Sequence, residues 1–168
     1  MLLPICRPTR SDTMNAIPAQ RAPELPDAAT VADWDLAFAR MSVVDRVRIA
    51  LREFPGPHVL SSSFGAQAAV SLHLLVRECP SLPVVLIDTG YLFPETYHFV
   101  DELTERLQLD LRVYRSVRSP AWQEARYGQR WLQGVEGIEA YNRENKVEPM
   151  QRVLAGHAAW VTGIRRDQ

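Results

Sequence analysis

The sequence predicts an α/β domain of three layers, a mostly parallel sheet with helices on both faces. Three observations point there. Helix-like and strand-like segments alternate along residues 42–164 in the order α-β-α-β-α-β-α-α-β, the pattern of parallel strands joined by crossover helices. Val84, Val85, Leu86 and Ile87 are consecutive apolar residues rather than alternating ones, which marks a strand covered on both faces. The ends of three strands carry unusual polar loops, and open parallel sheets bind their ligands at the carboxyl ends of strands.

Taken in order, residues 1–33 read as a flexible N-terminal extension and residues 34–168 as one α/β domain. Residues 1–30 hold five of the twelve prolines (Pro4, Pro8, Pro18, Pro23, Pro26) and lack lasting periodicity. Met14 is an alternative start. Ordered structure is expected from about Trp34. Ser42 and Asp45 resemble a capping box with Asp in place of Glu or Gln; the helix they open carries Val43, Val44, Val47, Ile49, Ala50 and Leu51 and ends at Pro55-Gly56. A short strand follows at 58–62, and a strongly apolar helix runs from about Ala66 to Cys79, stopped by Pro80.

Residues 83–88 form the buried strand. Pro94 suits the first turn of the next helix, in which Tyr97, Val100, Leu103 or Thr104, and Leu107 share a face. Residues 110–115 read as a strand, with Leu111 and Val113 alternating with polar neighbours. A helical stretch over 119–142 is interrupted near Gly128 and Gly134. A last helix at 148–157, begun by Pro149, precedes a strand at 159–164. Trp122, Trp131 and Trp160 are read as core residues.

Bulk properties narrow the function. The chain has 168 residues, 46% hydrophobic and 23% charged, with a formal net charge of −1. That is soluble globular composition, without the basic surface that duplex nucleic acid requires. Its two cysteines, Cys6 and Cys79, are too few for a disulfide scaffold or a four-thiolate iron–sulfur cluster. The apolar runs fall far short of the ~20 residues that span a bilayer, and Pro4 and Arg7 interrupt the apolar start. A cytoplasmic protein is the expectation. His58, His73, His98 and His157 lack metal-ligand spacing.

Chemistry concentrates in the strand-end loops. Ser61-Ser62-Ser63-Phe64-Gly65 joins a strand to a helix, so serine hydroxyls and backbone N–H groups form an anion cradle there; the competing reading is a serine-rich helix cap. The loop is neither a Walker A loop nor a dinucleotide fingerprint. In Asp88-Thr89-Gly90, the carboxylate orders the loop, holds a sugar hydroxyl, or simply forms a turn. Arg165 and Arg166 follow the last strand, where a guanidinium fork suits phosphate and sulfate oxygens and a solvated surface pair is the alternative. Lys146 reads either as reaching an anion at the sheet edge or as a surface lysine.

In sequence, these segments closely resemble 3′-phosphoadenylyl-sulfate (PAPS) reductases. The matching stretches are SSSFGAQAAVSLHL (61–74), IDTGYLFPETY (87–97), AWQEARYG (121–128), QGVEGIEAYNRENKVEPM (133–150) and GIRRDQ (163–168). Together they place the resemblance over about residues 34–168. It implies the adenine-nucleotide α-hydrolase-like fold of PP-loop type. It also implies that Ser61, Ser62, Ser63, Phe64 and Gly65, with Asp88, Thr89 and Gly90, embrace the nucleotide, while Lys146, Arg165 and Arg166 face its phosphate and sulfate oxygens. The implied reaction is thioredoxin-dependent (or glutaredoxin-dependent) reduction of PAPS to sulfite and adenosine 3′,5′-bisphosphate, by a homodimer without a bound cofactor.

The resemblance has one gap. The family's catalytic cysteine lies in a Glu-Cys-Gly-x-His-type motif near the C-terminus, so it is expected beyond Gln168, and neither Cys6 nor Cys79 matches it. The chain as given is therefore expected to bind nucleotide without catalysing reduction. Adenylyl-sulfate reductases, the near relatives, carry paired cysteines before the Lys-Val-Glu-Pro segment and hold an iron–sulfur cluster. Here Tyr141-Asn142 precede that segment, which favours PAPS and no cluster. A truncated module that binds nucleotide or dimerises without catalysis is the remaining alternative.

Overall fold

The computed structural model describes residues 26–54 and 56–163. Four parallel strands, β1 (His58–Ser61), β2 (Pro83–Ile87), β3 (Asp110–Tyr114) and β4 (Ala159–Val161), form one sheet in the order β3-β2-β1-β4. The chain steps outward from β1 to β2 to β3, then returns to pair β4 on the other side of β1. That reversal is a topological switch point, the place where such sheets leave a crevice.

Side-chain alternation divides the core. Leu60, Val84 and Leu86 face one side, where they pack with Leu51 of α2 (Val43–Glu53), Leu72, Leu75 and Val76 of α3 (Ala68–Glu78), and Val100 and Leu103 of α4 (Pro94–Leu107). Val59 and Val85 face the other side, against Val153 of α7 (Glu148–Leu154), with Ile87, Tyr114, Met150 and Leu154 around them. Helices thus cover both faces. The apolar run in β2 needs this, because Val84, Val85 and Leu86 are all buried. Cys79 is enclosed in the larger core.

The termini of the elements follow local chemistry. In α1 (Ala28–Ala39), the Asp27 side chain accepts the Thr30 N–H at 2.8 Å. This helix starts before Trp34, the residue at which order was expected. It buries none of its own residues, and Trp34 and Phe38 instead meet Phe54, with ring centroids 4.6 and 6.2 Å apart. At α2, Ser42 Oγ accepts the Asp45 N–H at 3.2 Å, while its own hydroxyl donates to the Asp45 carboxylate at 2.6 Å. Asp45 is too short to reach back to the Ser42 backbone, so the box closes side chain to side chain. Pro94 opens α4, and Gln108 ends it in the left-handed region.

Two expectations fail in the second half of the chain. First, α7 is not a separate helix begun by Pro149. After α5 (Pro120–Tyr127) and a 3₁₀ turn (Arg130–Leu132), α6 (Gly134–Asn142) runs through a π turn (Arg143–Val147) directly into α7. Proline lacks an N–H and crowds the preceding turn, and one wide turn absorbs it without a break. Second, the three tryptophans read as core are not there: Trp122, Trp131 and Trp160 are 57%, 38% and 47% exposed. Trp160 sits on β4, and the other two lie in the α5–α6 region.

The π turn brings two adjacent polar residues, Glu144 and Asn145, inside. Asn145 and Gln123 exchange amide hydrogen bonds at 2.8 and 2.9 Å, and Asn145 also donates to the Tyr141 carbonyl at 3.0 Å. Glu144 receives Arg130 at 2.8 Å and Arg118 at 3.1 Å, one on each oxygen. Gly137 lets this region close, since a Cβ there would sit 2.2 Å from the Arg130 carbonyl. Burial pushes the Glu144 carboxyl up, but hydrogen bonds from Arg130 and Arg118 outweigh burial and hold it below the ordinary glutamate value.

A lowered folded-state pKa means stability that is full above the unfolded glutamate value of ~4.3 and is lost as pH falls through the folded one. Glu144→Gln should therefore cost about 2 kcal/mol at pH 7, below the scale for a fully buried pair because Arg118 is partly solvated. It should also reduce the loss of stability between pH 6 and pH 3. Urea unfolding of both proteins at the two pH values measures this; parallel acid limbs would show that Glu144 carries none of the pH dependence.

Candidate nucleotide site

A cleft of about 790 Å³ opens at the carboxyl ends of β1 and β4, at the switch point. Ser61, Ser62, Ser63 and Gly65 line it from the β1–α3 loop, with the first turn of α3 behind them and Thr162 and Gly163 opposite. The loop is held from both ends. The Ser62 N–H extends the sheet by donating to the Val85 carbonyl at 3.0 Å, and the Ala68 N–H closes onto the Gly65 carbonyl at 2.8 Å. Phe64 takes the left-handed conformation, φ 52°. Its ring is buried in the larger core, so it anchors the loop from beneath rather than lining the cleft.

The hydroxyls have defined roles. Ser62 Oγ accepts the Phe64 N–H at 3.1 Å, and Ser61 Oγ accepts the Trp160 indole N–H at 2.8 Å. Neither bond consumes a serine proton. Among the described residues no hydrogen bond engages the Ser63 hydroxyl. The cleft thus offers hydroxyl protons where an anion would lie, and the helix behind it adds the positive end of its dipole.

Asp88, Thr89 and Gly90 follow β2 but do not line the cleft. Asp88 is buried, and both of its oxygens are occupied. Oδ1 accepts the Gly90 N–H at 2.8 Å and the Tyr97 hydroxyl at 2.7 Å, while Oδ2 meets Arg115 Nε at 2.8 Å. The Asp88 N–H donates to the Tyr114 carbonyl. One carboxylate therefore ties the end of β2 to α4 and to the residue after β3. Burial works to raise this carboxyl, yet the bonds from Tyr97, Gly90 and Arg115 prevail and hold it below the usual aspartate value. Burial and the Asp88 hydrogen bond raise the Tyr97 phenol in turn. Thr89 Oγ1 accepts the Tyr91 N–H at 3.3 Å. Of the alternatives for Asp88, loop ordering is the one its contacts express.

Lys146 is exposed on the π turn, with its ammonium 5.9 Å from the centre of the Tyr141 ring; it does not line the cleft. That ring lies 6.0 Å from the rings of both Tyr91 and Trp131, which are themselves 5.0 Å apart, centroid to centroid. The Tyr91 hydroxyl donates to Glu124 at 2.7 Å, and burial together with this bond pushes its pKa up to about 12. Arg165 and Arg166 lie outside the described residues. Among the described residues no group of three or more His, Cys, Asp or Glu is placed to hold a metal ion, and no helix is long and apolar enough to cross a membrane.

Sequence reasoning missed Arg115, Tyr97, Trp160 and Thr162. Arg115 directly follows β3, so the strand-end rule extended to that strand would have found it, whereas Thr162 was hidden because β4 ends at Val161 rather than at the expected 164. Tyr97 carried no signal as a partner of Asp88, because its helical position suggested only an apolar face. Gly90 is the one loop residue whose identity is dictated by space: its φ is +77°, and a Cβ would lie 2.4 Å from Pro120 Cγ. Gly90→Ala should cost ~2–4 kcal/mol from left-handed strain and overlap combined. Thermal unfolding checks this; an unchanged midpoint would mean that the Asp88 loop yields freely.

Comparison with known proteins identifies the family and the fold. The model of the phosphoadenosine phosphosulfate reductase domain matches residues 57–168. The chain is 67% identical over 133 residues to the phosphoadenosine 5′-phosphosulfate reductase of Alkalilimnicola ehrlichii, covering 78% of this chain and 54% of that protein. It is 59% identical over 143 residues to the reductase of Cronobacter sakazakii, covering 84% and 59%. The chain thus spans a little over half the length of these curated relatives. The crystal structure of PAPS reductase from Candida auris, a phosphate complex, superposes with a TM-score of 0.74 at 24% identity, covering 85% of this chain and 70% of that one; it shares the fold. With a family model spanning two-thirds of its residues, the chain belongs to the phosphoadenosine phosphosulfate reductase domain family.

Proposed function

We propose that this chain supplies the nucleotide-binding part of a thioredoxin-dependent PAPS reductase of assimilatory sulfate reduction. The observation that carries the reading is the serine-lined cleft at the β1–β4 switch point. It presents hydroxyl protons and a helix start to a ligand rich in anionic oxygens, as PAPS is. Arg165 and Arg166 continue the chain from Gly163, which lines the same cleft, and supply the charge that the hydroxyls lack. Lys146 lies outside the cleft wall, and its part as a further cation rests on the family resemblance alone. Asp88, Thr89 and Gly90 act by holding the neighbouring loop in shape.

The chemistry needs a thiolate. It attacks the sulfonyl sulfur, the bond from sulfur to the phosphate oxygen breaks, and adenosine 3′,5′-bisphosphate departs with the electron pair. Two electrons from the thioredoxin dithiol then cleave the S-sulfocysteine, releasing sulfite and restoring the thiol. Stabilising the departing phosphate is the task the cleft suits. Cys79 is enclosed in the core and does not line the cleft, so the attacking thiolate comes from elsewhere in the enzyme.

The 168-residue chain should accordingly bind adenosine 3′,5′-bisphosphate and release no sulfite from PAPS with reduced thioredoxin. Calorimetric titration and a sulfite assay test the two halves; absence of binding would end the reading. Arg165→Ala or Arg166→Ala should weaken binding by ~1.5–3 kcal/mol, the scale of a charged hydrogen bond. Lysine at either position should restore only part of it, and the loss should shrink as salt rises. Unchanged affinity in both alanine variants would return the pair to the solvated surface. The purified protein should also be colourless, and stoichiometric iron would move the reading towards adenylyl-sulfate reduction.

A further inference from the structure

Trp160 occupies an unusual position for its size. Among the described residues it lies on β4, beside β1 in the sheet, and its indole nitrogen is turned towards the cleft loop. In the parallel register it stands beside Val59, and aligned residues of neighbouring strands share a face. Ser61, two residues after Val59, points to that face as well. The indole therefore reaches Ser61 as a diagonal neighbour, and its Nε1 lies 2.8 Å from Ser61 Oγ. Indole nitrogen only donates, so the serine oxygen must accept. Among the described residues no acceptor takes the remaining Ser61 proton, and Ser61 lines the cleft.

We infer that Trp160 is a positioning residue of the cleft, orienting Ser61 as a hydrogen-bond donor toward an anionic oxygen of the ligand. A serine hydroxyl without partners rotates among staggered positions and can accept as readily as donate. With one lone pair held by the indole, its proton is directed away from Trp160, and hydrogen bonds in series strengthen one another. Phosphate and sulfate oxygens accept from such a donor. Trp160 also ties the β1 loop to the strand that leads into Thr162 and Gly163, so both sides of the cleft move as one. This inference rests on the nucleotide-binding reading above.

The test is calorimetric titration of adenosine 3′,5′-bisphosphate, with uncharged adenosine as comparison, into wild type, Trp160→Phe, Ser61→Ala and the double variant. Trp160→Phe keeps the ring and removes the donor. Its affinity for the bisphosphate should fall about threefold to tenfold, the scale of one neutral hydrogen bond, with adenosine unaffected. In the Ser61→Ala background the same change should have no further effect. Trp160→His, which retains a ring N–H, should recover part of the loss. Additive effects, equal losses for both ligands, or an unchanged Trp160→Phe would each overturn the inference while leaving wild-type binding intact. Failure of the wild-type chain to bind would remove the nucleotide reading and this inference together. If Trp160→Phe loses its fold by circular dichroism, Trp160 is a structural residue and the inference falls.

Discussion

Strand β1 is the constraint on which the structure depends. It pairs with β2 on one side and β4 on the other, and is covered on both faces, so Val59 and Leu60 are buried. A strand paired on both sides cannot slip by one residue without turning Leu60 and Val59 into each other's cores. With β1 locked, its exit is locked, and so are the serines that follow. The cleft lies there because β2 and β4 leave on opposite sides, which keeps any crossover helix from filling the gap between the two loops.

Charge burial in this molecule follows one pattern. Asp88 and Glu144 are both taken out of water, and each has both oxygens engaged, Asp88 by the Gly90 N–H of its own loop and by Tyr97 and Arg115, Glu144 by Arg118 and Arg130. An isolated buried carboxylate would protonate rather than pay its solvation cost; with two or three donors it stays ionised and becomes a joint. Asp88 joins the ends of β2 and β3 to α4. Glu144 joins the π turn to the residues before α5 and α6. The cationic side chains, by contrast, keep some contact with water, in line with their partial exposure.

The aromatic residues show where composition misleads. Size and apolarity put Trp122, Trp131 and Trp160 in the core by default, whereas each is left partly exposed, in the α5–α6 region or on β4. An indole also carries a donor, and a site that needs one in a half-exposed place gains from that polar end. Tyr91 follows the same logic, with its ring against Trp131 and Tyr141 and its hydroxyl on Glu124.

Much of the architecture was legible in the residues. The β2 run, the Pro94 and Ser119 helix starts, the breaks near Gly128 and Gly134, and the hydroxyl loop after β1 all express local rules of pattern, capping and turn chemistry, which a segment carries wherever it sits. The pairing of β4 with β1 is different: it joins residues about a hundred positions apart, and nothing local specifies it. Because of that pairing, Ser61 finds Trp160, the cleft falls at Thr162 and Gly163, and Asp88 lies one strand away from it rather than in its wall. The π turn was hidden for a related reason. Pro149 announces a helix start by local rules, but the buried amide pair of Asn145 with Gln123 holds the chain helical through it. Local preference named the pieces, while long-range pairing and buried polar contacts decided which of them meet.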